Sequence, residues 1–299
     1  MSSNNHSTAL ATSGATGATG AGRTVPFSLS RLGIVAGNTF LEAVRQKLFN
    51  FLLLLAVALV ASAQLFREFN FGSSELKFIS DFGFGAMVFF GSTLTIAATA
   101  QLFFSEIENR TALTILAKPI WRTEFIFGKF LGVFAVVGVF CALTTTLLLA
   151  LLYNREGTLM AANPDAFEHG RLIHYGDLVL MGVLQWLKFG VLAAITLLIA
   201  SFSNTNLYTV VMGFFVLVIC HLQYLARDAY GQVASAPLRL LVQLLGYVFP
   251  NFQVFNLADQ IGIGQGIGAE VFARVAGYAL IYIAVIGGLA VYSFRNREI

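Results

Sequence analysis

The sequence predicts an all-α membrane protein that crosses the bilayer six times. Of its 299 residues, 57% are hydrophobic and only 11% are charged, whereas an ordinary soluble domain is about 45–50% apolar and about 25% charged. Six apolar runs are long enough to span a bilayer. The runs are continuous rather than alternating, which excludes the strands of a membrane barrel. Helices remain, because they satisfy every backbone polar group within lipid.

The chain begins with a polar tail and an amphipathic helix. Residues 1–29 are rich in Ser, Thr, Gly and Ala and are expected to be disordered, because such a segment cannot bury apolar surface. Residues 30–299 are expected to form one six-span domain. From residue 30 to 47, apolar side chains recur every four residues: Leu32, Ala36, Phe40 and Val44. We expect this helix to lie along the membrane interface, with its apolar stripe in the lipid boundary. The alternative is a simple extension of the first span.

Six predicted spans follow, separated by polar segments. They cover residues 49–66, 84–104, 125–153, 178–202, 207–225 and 271–294. Segments 67–83 and 154–177 are interpreted as polar loops. Residues 238–248 carry a short apolar stripe that suggests a re-entrant or interfacial helix. In the third span, Gly128, Gly132 and Gly138 would allow a neighbouring helix to approach closely.

The distribution of positive charge predicts the orientation. With the N-terminus in the cytoplasm, the inner segments hold ten Lys and Arg residues and the outer ones seven, and Lys188 lies within a span. The outer segments are also longer and carry most of the acids. Because short cytoplasmic loops are enriched in Lys and Arg, both termini are expected to be cytoplasmic. The segment between spans two and three is then cytoplasmic as well.

That segment, residues 104–132, has the densest charge in the chain. It contains Glu106, Glu108, Thr111, Leu113, Leu116, Lys118, Pro119, Arg122, Gly128 and Lys129. In this combination it resembles the central motif of the ABC-2 type permeases, the membrane subunits of ATP-binding-cassette transporters. Arg110 stands where many members have Gly. The run from Pro250 to Asn256 and the Cys220-His221-Leu222 triplet are similar to patterns of the branch grouped with permeases for multicopper-enzyme maturation and gliding motility.

The resemblance implies an exporter subunit of the bacterial cytoplasmic membrane, driven by a separate ATP-binding-cassette subunit and paired with a second permease chain as a homo- or heterodimer. The chain lacks a phosphate-binding loop, so ATP and Mg are expected on the partner and no cofactor or nucleic acid on this chain. The expected partner-coupling residues are Glu106, Glu108, Arg110, Thr111, Leu113, Leu116, Lys118, Pro119, Arg122 and Lys129. Their apolar members would enter a cleft on the partner, and the charges would fix the register. The alternative is an ordinary basic loop.

Polar side chains within the spans are candidates for the transport pathway or the dimer interface. They are Thr95, Thr99, Gln101, Lys188 and His221. A buried ammonium such as Lys188 is energetically expensive, although snorkelling towards the headgroups is the alternative. His221 is equally interpreted as a hydrogen-bonded interfacial histidine.

Other functions fit the sequence less well. An ion-coupled secondary transporter would need intramembrane acids or broken helices in a repeat arrangement, and a membrane enzyme would need a catalytic set that the sequence lacks. A subunit of a membrane complex without transport activity is a further alternative. The polar segment 154–177 holds Asp165, Glu168, His169 and His174, but their spacing is not a specific ligand pattern, so no metal site is expected. The substrate stays open.

Overall fold

A computed structural model of the chain describes residues 28–65, 75–108, 122–167, 171–230, 248–257 and 266–295, with isolated positions 237, 240 and 246. Within these residues the regular elements are helices, and no strand occurs. The α-helices are α1 (Leu29–Arg45), α2 (Lys47–Ser62), α3 (Glu75–Glu108), α4 (Arg122–Ala162), α5 (Tyr175–Phe202), α6 (Asn206–Tyr230) and α7 (Ala269–Arg295). Two short 3-10 turns cover Pro164–Phe167 and Phe252–Phe255.

The predicted all-α membrane class is confirmed. Helices α3 to α7 are each long and apolar enough to cross a bilayer, which gives five candidate spans. Helices α1 and α2, which meet at an angle of 63°, give a sixth if the bent pair is counted as one span. The bend falls at Gln46, whose extended backbone (φ −68°, ψ 135°) interrupts the helical hydrogen bonding. The amphipathic segment is therefore a separate helix rather than a straight extension of the first span.

Two predicted loops are partly wrong, because helices extend into them. Helix α3 begins at Glu75, inside the segment 67–83, and its first turns are held by the buried Leu76 and Ile79. Helix α4 continues to Ala162, well past residue 153. The charged residues that suggested loops are instead used in contacts between these helix ends.

Helix α5 is the centre of the bundle and the most enclosed of the candidate spans. It packs against α3, α4, α6 and α7. Small residues make these approaches close. At Gly91 of α3, an added Cβ would lie 2.5 Å from the Phe189 ring of α5, and at Gly182 of α5 it would lie 2.5 Å from Oγ1 of Thr145. A larger side chain at these points would require the facing side chain or its helix to shift.

The helices alternate in direction, so the bundle has two distinct ends. We call the linker end the one where α1 meets α2, α3 ends, α4 begins and α7 ends. We call the cap end the one where α3 and α5 begin, α4 ends and the Phe252–Phe255 turn lies. Aromatic contacts support this arrangement: Phe294 of α7 packs on Phe103 of α3 and Phe125 of α4, with ring centroids 5.7 and 5.9 Å apart.

The Phe252–Phe255 turn is inserted into the cap end of the bundle. Both phenylalanine side chains are fully buried. Asn251 caps the turn through its side-chain oxygen, which accepts from the backbone N–H of Gln253 at 2.9 Å. Its own N–H donates to the hydroxyl of Tyr278 in α7 at 2.8 Å. Most of the apolar stripe predicted over residues 238–248 lies outside the described residues.

Candidate coupling site at the linker end

Helix α1 lies directly against the first turns of α4. The predicted close approach at Gly128 and Gly132 is confirmed, and the helix that approaches is α1. An added Cβ at Gly128 would lie 2.6 Å from Cγ1 of Val35. At Gly132 it would lie 2.5 Å from Cβ of Thr39 and 2.8 Å from the carbonyl oxygen of Ala36. The two glycines, four residues apart, therefore form a flat strip on α4 that fits one face of α1.

The predicted apolar stripe of α1 faces the bundle in part. Phe40 and Val44 are half-buried against the core, whereas the large apolar side chains that are most exposed are Leu29, Ile34 and Leu41. The helix itself is confirmed, and the side chains that meet the α4 glycines are those of Val35 and Thr39, beside the predicted stripe. The exposed apolar residues on the other side keep an interfacial position a prediction.

A buried carboxylate fixes the beginning of α1 to the beginning of α4. Glu124 has no exposed side-chain surface. It accepts a hydrogen bond from the backbone N–H of Ser28 at 2.7 Å, and Nη1 of Arg31 lies 3.7 Å from its other oxygen. A buried charge needs such partners, because leaving water without them is costly. Glu124 thus ties together two points 96 residues apart in the chain.

A second polar contact joins three helices one turn further on. Lys129 of α4 is 2% exposed, and its Nζ lies 3.9 Å from Oε2 of Glu42 in α1. Oε1 of the same carboxylate accepts from the hydroxyl of Ser105 in α3 at 3.2 Å. Lys129 also lies over the Phe125 ring, 5.9 Å from its centroid. Helices α1, α3 and α4 are therefore joined where α3 ends and α4 begins.

We call this set of contacts the collar: Arg31, Glu42, Ser105, Glu124, Gly128, Lys129, Gly132 and Phe294. Ring contacts of Phe294 add α7 to the helices that it joins. The segment between α3 and α4 thus begins and ends in one packed unit. A force applied to that segment would reach α1, α3, α4 and α7 together, because packed helices move as rigid bodies.

Of the predicted partner-coupling residues, Lys129 is part of the collar. Glu106 and Glu108 lie on the last turn of α3, and Arg122 opens α4, but the side chains of these three lie outside the described part. Six further positions lie outside the described residues altogether: Arg110, Thr111, Leu113, Leu116, Lys118 and Pro119. Their contact with a partner stays a prediction.

The predicted pathway residues do not form one cluster. Thr95 and Thr99 are buried inside the chain's own bundle, where their hydroxyls donate to the carbonyl oxygens of Gly91 and Thr95 at 2.6 and 2.7 Å. Gln101 is exposed on α3. Lys188 is buried in α5, and His221 lies partly buried on α6, 3.0 Å from the Leu217 carbonyl oxygen. The role of each as pathway or dimer contact stays a prediction.

The sequence reasoning missed Glu42 and Arg31 as site residues, because it placed them on the polar face of an isolated helix. A signal was present, since α1 carries a base followed by an acid and α4 carries an acid followed by a base. Arg31 and Glu42 are 11 residues apart, whereas Glu124 and Lys129 are five apart. This unequal spacing hides the pairing from any simple repeat search.

A second charged cluster closes the cap end. Glu156 of α4 is fully buried and accepts from the backbone N–H groups of Leu172 and Ile173, at 2.7 and 3.2 Å, and from the hydroxyl of Tyr175. Arg171 lies 3.5 Å from it and stacks over a neighbouring tyrosine ring. Partial loss of hydration acts to lower the pKa of Arg171, but the hydrogen bond to Tyr175 and the charge of Glu156 raise it above its ordinary value.

No group of three or more potential metal ligands occurs among the described residues. Of the polar segment singled out in the sequence, His174 is described and exposed, whereas Glu168, His169 and the side chain of Asp165 lie outside that part.

Comparison with known proteins agrees with this geometry. The family model for ABC-2 family transporter proteins matches residues 33–299, nearly all of the chain after its polar tail. No curated protein matches the sequence. Members of this family are typically non-catalytic membrane subunits, and the family implies association with an ATP-binding subunit. The chain therefore belongs to the ABC-2 transporter family and is a multi-pass membrane permease of an ABC transporter.

Proposed function

We propose that the chain is the permease subunit of an exporter in a bacterial cytoplasmic membrane, that a separate subunit binds ATP and Mg and hydrolyses the nucleotide, and that a second permease chain completes the pathway. The observation that carries the proposal is the collar. The collar joins the last turns of α3, the first turns of α4 and the helix α1 in one packed unit. These are the two helix ends between which the family motif lies.

The collar gives the proposed coupling a physical route. Closure of the ATP-binding subunits would push on the residues between α3 and α4. Because Lys129 and Glu124 hold α1 against α4, that push would move these helices together rather than bend the linker alone. Helix α5, enclosed by α3, α4, α6 and α7, would then receive the displacement through close-packed contacts.

The charged and apolar residues of the motif would have separate tasks in this contact. Leu113 and Leu116, three residues apart, would insert into an apolar cleft of the ATP-binding subunit. Glu106 and Arg122, placed at the two helix ends that border the motif, would fix its orientation through charge. Mg and ATP would not touch this chain.

The test is co-purification of the chain with its ATP-binding subunit, together with the ATPase rate of the complex. Glu106→Arg and Leu113→Asp are expected to reduce both, because one reverses a rim charge and the other places a charge in an apolar cleft. Matched substitutions at the cap end, Glu270→Arg and Leu172→Asp, are expected to leave both unchanged, since these exposed side chains lie at the opposite end.

Unchanged complex formation and ATPase rate in Glu106→Arg and Leu113→Asp would contradict the coupling role. Substrate movement by the chain alone in proteoliposomes, without any ATP-binding subunit, would instead support an ion-coupled secondary transporter. Export rather than import is tested in inverted vesicles, where added ATP should drive substrate inwards.

A further inference from the structure

Lys188 stands at the middle of the central helix. It is the fourteenth of the 28 residues of α5, so each end of the helix is about 20 Å away at 1.5 Å per residue. Its side chain is much shorter than that distance and is 3% exposed. Snorkelling to the headgroups therefore does not explain its position. An ammonium group placed so deep is costly, and intramembrane charges of this kind commonly serve a ligand.

No acidic partner explains this charge among the described residues. The described carboxylates of Glu42 and Glu124 belong to the collar, and those of Glu75 and Glu156 belong to the cap-end contacts. Asp177 accepts from the backbone N–H of Ile267, Glu270 pairs with Arg274, and Asp81 is exposed in the second turn of α3. Within that part of the chain, Nζ lies 5.5 Å from the centroid of the neighbouring Phe189 ring, and the ammonium group also interacts electrostatically with the Cys141 thiol of α4 and the His221 ring of α6. A ring face compensates a buried charge only weakly.

A second polar group lies one turn from Lys188 and is also incompletely used. Gln185, at the i−3 position, shares a helix face with it. Gln185 is 1% exposed, and its Nε2 donates to the carbonyl oxygen of Phe255 at 3.2 Å. Its Oε1 has no hydrogen-bond donor among the described residues. The face therefore offers one cationic donor and one neutral acceptor about one helical turn apart.

Apolar and aromatic groups surround this face. The Phe252–Phe255 turn covers it at the cap end, where Phe252 packs edge-on to His221 of α6, with centroids 5.4 Å apart. Ser92 of α3 lies at a similar depth, next to Gly91, which faces Phe189. The Ser92 hydroxyl is likewise buried without a hydrogen-bond partner in the described part of the chain. A ligand here would meet few polar atoms and much hydrocarbon.

We propose that Lys188 and Gln185 form a substrate site for an amphiphile whose headgroup carries one acidic group and an adjacent hydroxyl. The acidic group would accept from the Lys188 ammonium, and the hydroxyl would donate to Oε1 of Gln185. One negative charge balances the one cation, and the apolar surroundings accommodate a hydrocarbon tail. This assignment names the substrate class of the proposed exporter and rests on that function.

The probe is 3-hydroxydecanoate, with two matched comparisons. Decanoate lacks the hydroxyl, and methyl 3-hydroxydecanoate lacks the charge. Binding to the full-length chain in phosphatidylcholine nanodiscs is measured by titration calorimetry, with empty nanodiscs subtracted. We expect the hydroxy acid to bind at least roughly tenfold more tightly than the ester and about threefold more tightly than decanoate, in line with charged and neutral hydrogen bonds.

Each preference should depend on its own residue. Lys188→Met should remove the preference for the acid over the ester, and Lys188→Arg should keep it. Gln185→Leu should remove the preference for the hydroxy acid over decanoate. Lys47→Met, at the exposed first position of α2, is the control and should change neither. Lys188→Met is expected to fold, because an apolar side chain in an apolar span removes a desolvation cost.

Three outcomes would overturn the site. They are equal binding of the three probes by the wild-type chain, an acid preference that persists in Lys188→Met, and loss of self-association in Lys188→Met with unchanged probe binding. The last would assign Lys188 to a contact between copies. A second preparation of nanodiscs, in which a quarter of the lipid is phosphatidylglycerol, tests whether the natural ligand is a membrane lipid. Competition by that lipid would weaken probe binding. Because the assay contains no ATP-binding subunit, its failure is distinct from failure of the proposed exporter function.

Discussion

At the cap end, Arg155 binds both carboxylate oxygens of Glu75 at 2.6 and 2.9 Å, whereas at the linker end the Nζ of Lys129 and the nearest oxygen of Glu42 are 3.9 Å apart. The first pair is a short, two-pronged contact that fixes distance and direction. The second lies beyond hydrogen-bond length and leaves the carboxylate of Glu42 partly in solvent. The two ends of one bundle are thus joined by contacts of different stiffness.

The buried glutamates of the two ends also differ in how far along the chain their partners lie, although the Glu75–Arg155 pair at the cap end spans 80 positions. At the cap end, Glu156 takes its donors from residues 16 to 19 positions away. At the linker end, Glu124 reaches a backbone group 96 positions away. Short local loops hold geometry at little entropic cost, whereas the distant contact depends on two helices staying together. We infer that the cap end is the fixed reference and that the collar is the part built to shift.

The strongest test of this difference between the two ends is to cross-link each end in turn. Cysteines replace the partly exposed Arg31 and Thr123 in one variant, and the partly exposed Glu75 and Arg155 in the other. Each pair is joined by a short bismaleimide in the complex with the ATP-binding subunit. Both native cysteines are buried and should react little. We expect the first lock to abolish stimulated ATPase activity and the second to preserve it. The opposite result would assign the moving part to the cap end.

Stability provides the next largest contrast. Glu156→Ala leaves the backbone N–H groups of Leu172 and Ile173 and the Tyr175 hydroxyl without the buried carboxylate that accepts from them. We expect it to lower the free energy of unfolding by about 3–5 kcal/mol, as breaking a buried charged contact does. The measurement is denaturant unfolding in detergent. Glu270→Ala, whose side chain is 80% exposed, is the control and should change stability little.

A third prediction compares two glycines of the same helix. Gly132→Ala would bring a methyl group within 2.8 Å of the Ala36 carbonyl oxygen, so α1 must move away from α4. We expect a loss of about 1–3 kcal/mol, typical of overpacking. Gly157→Ala, near the cap end of α4, meets nothing within 4 Å. It should stabilise the chain by up to about 1 kcal/mol through helix propensity. Equal effects would contradict the close contact between α1 and α4.

The smallest expected effect is the difference between the interaction energies of the two ion pairs, which double-mutant cycles measure. For Glu42→Gln with Lys129→Met we expect an interaction energy of about 0.5–1 kcal/mol, because the two charged atoms are 3.9 Å apart and the side chain of Glu42 is 43% exposed. The matching cycle at Glu75 and Arg155 should give more, since the contact is bidentate. Unfolding midpoints of the single and double variants provide the values. An interaction energy of Glu42 with Lys129 that equals or exceeds that of Glu75 with Arg155 would contradict the proposed difference in stiffness between the two ends.

Composition and apolar length were sufficient to predict the class of the fold and the approximate position of the five candidate spans α3 to α7, because lipid leaves helices as the solution for continuous apolar runs. The helix ends were harder. Glu75 and Arg155 look like loop residues in their local sequence, yet each is helical and is satisfied by the other across 80 positions. Charge at a helix end can be predicted from sequence, but its partner depends on which helices become neighbours.

The same distinction between local features and distant partners applies to the candidate site. Gly128 and Gly132 predicted a close contact with a neighbouring helix. Their spacing did not indicate that this helix is α1. Lys129 was assigned to the contact with a partner subunit, but its 2% exposure and its ion pair with Glu42 show that it also serves the inside of the chain. The linker motif itself was recognisable because its residue types occur together over a short stretch.

The length of α4 has a mechanical consequence for the membrane itself. From Phe130 to Asn154 the helix carries no charge for 25 residues, which corresponds to about 38 Å of axis. The hydrocarbon layer of a typical bilayer is about 30 Å thick. This mismatch favours a tilted α4 or a locally thickened bilayer. Helix α1 packs on α4 at Gly128 and Gly132, so a change in the tilt of α4 also moves α1 and the collar. We therefore expect the transport rate to depend on the acyl-chain length of the surrounding lipids.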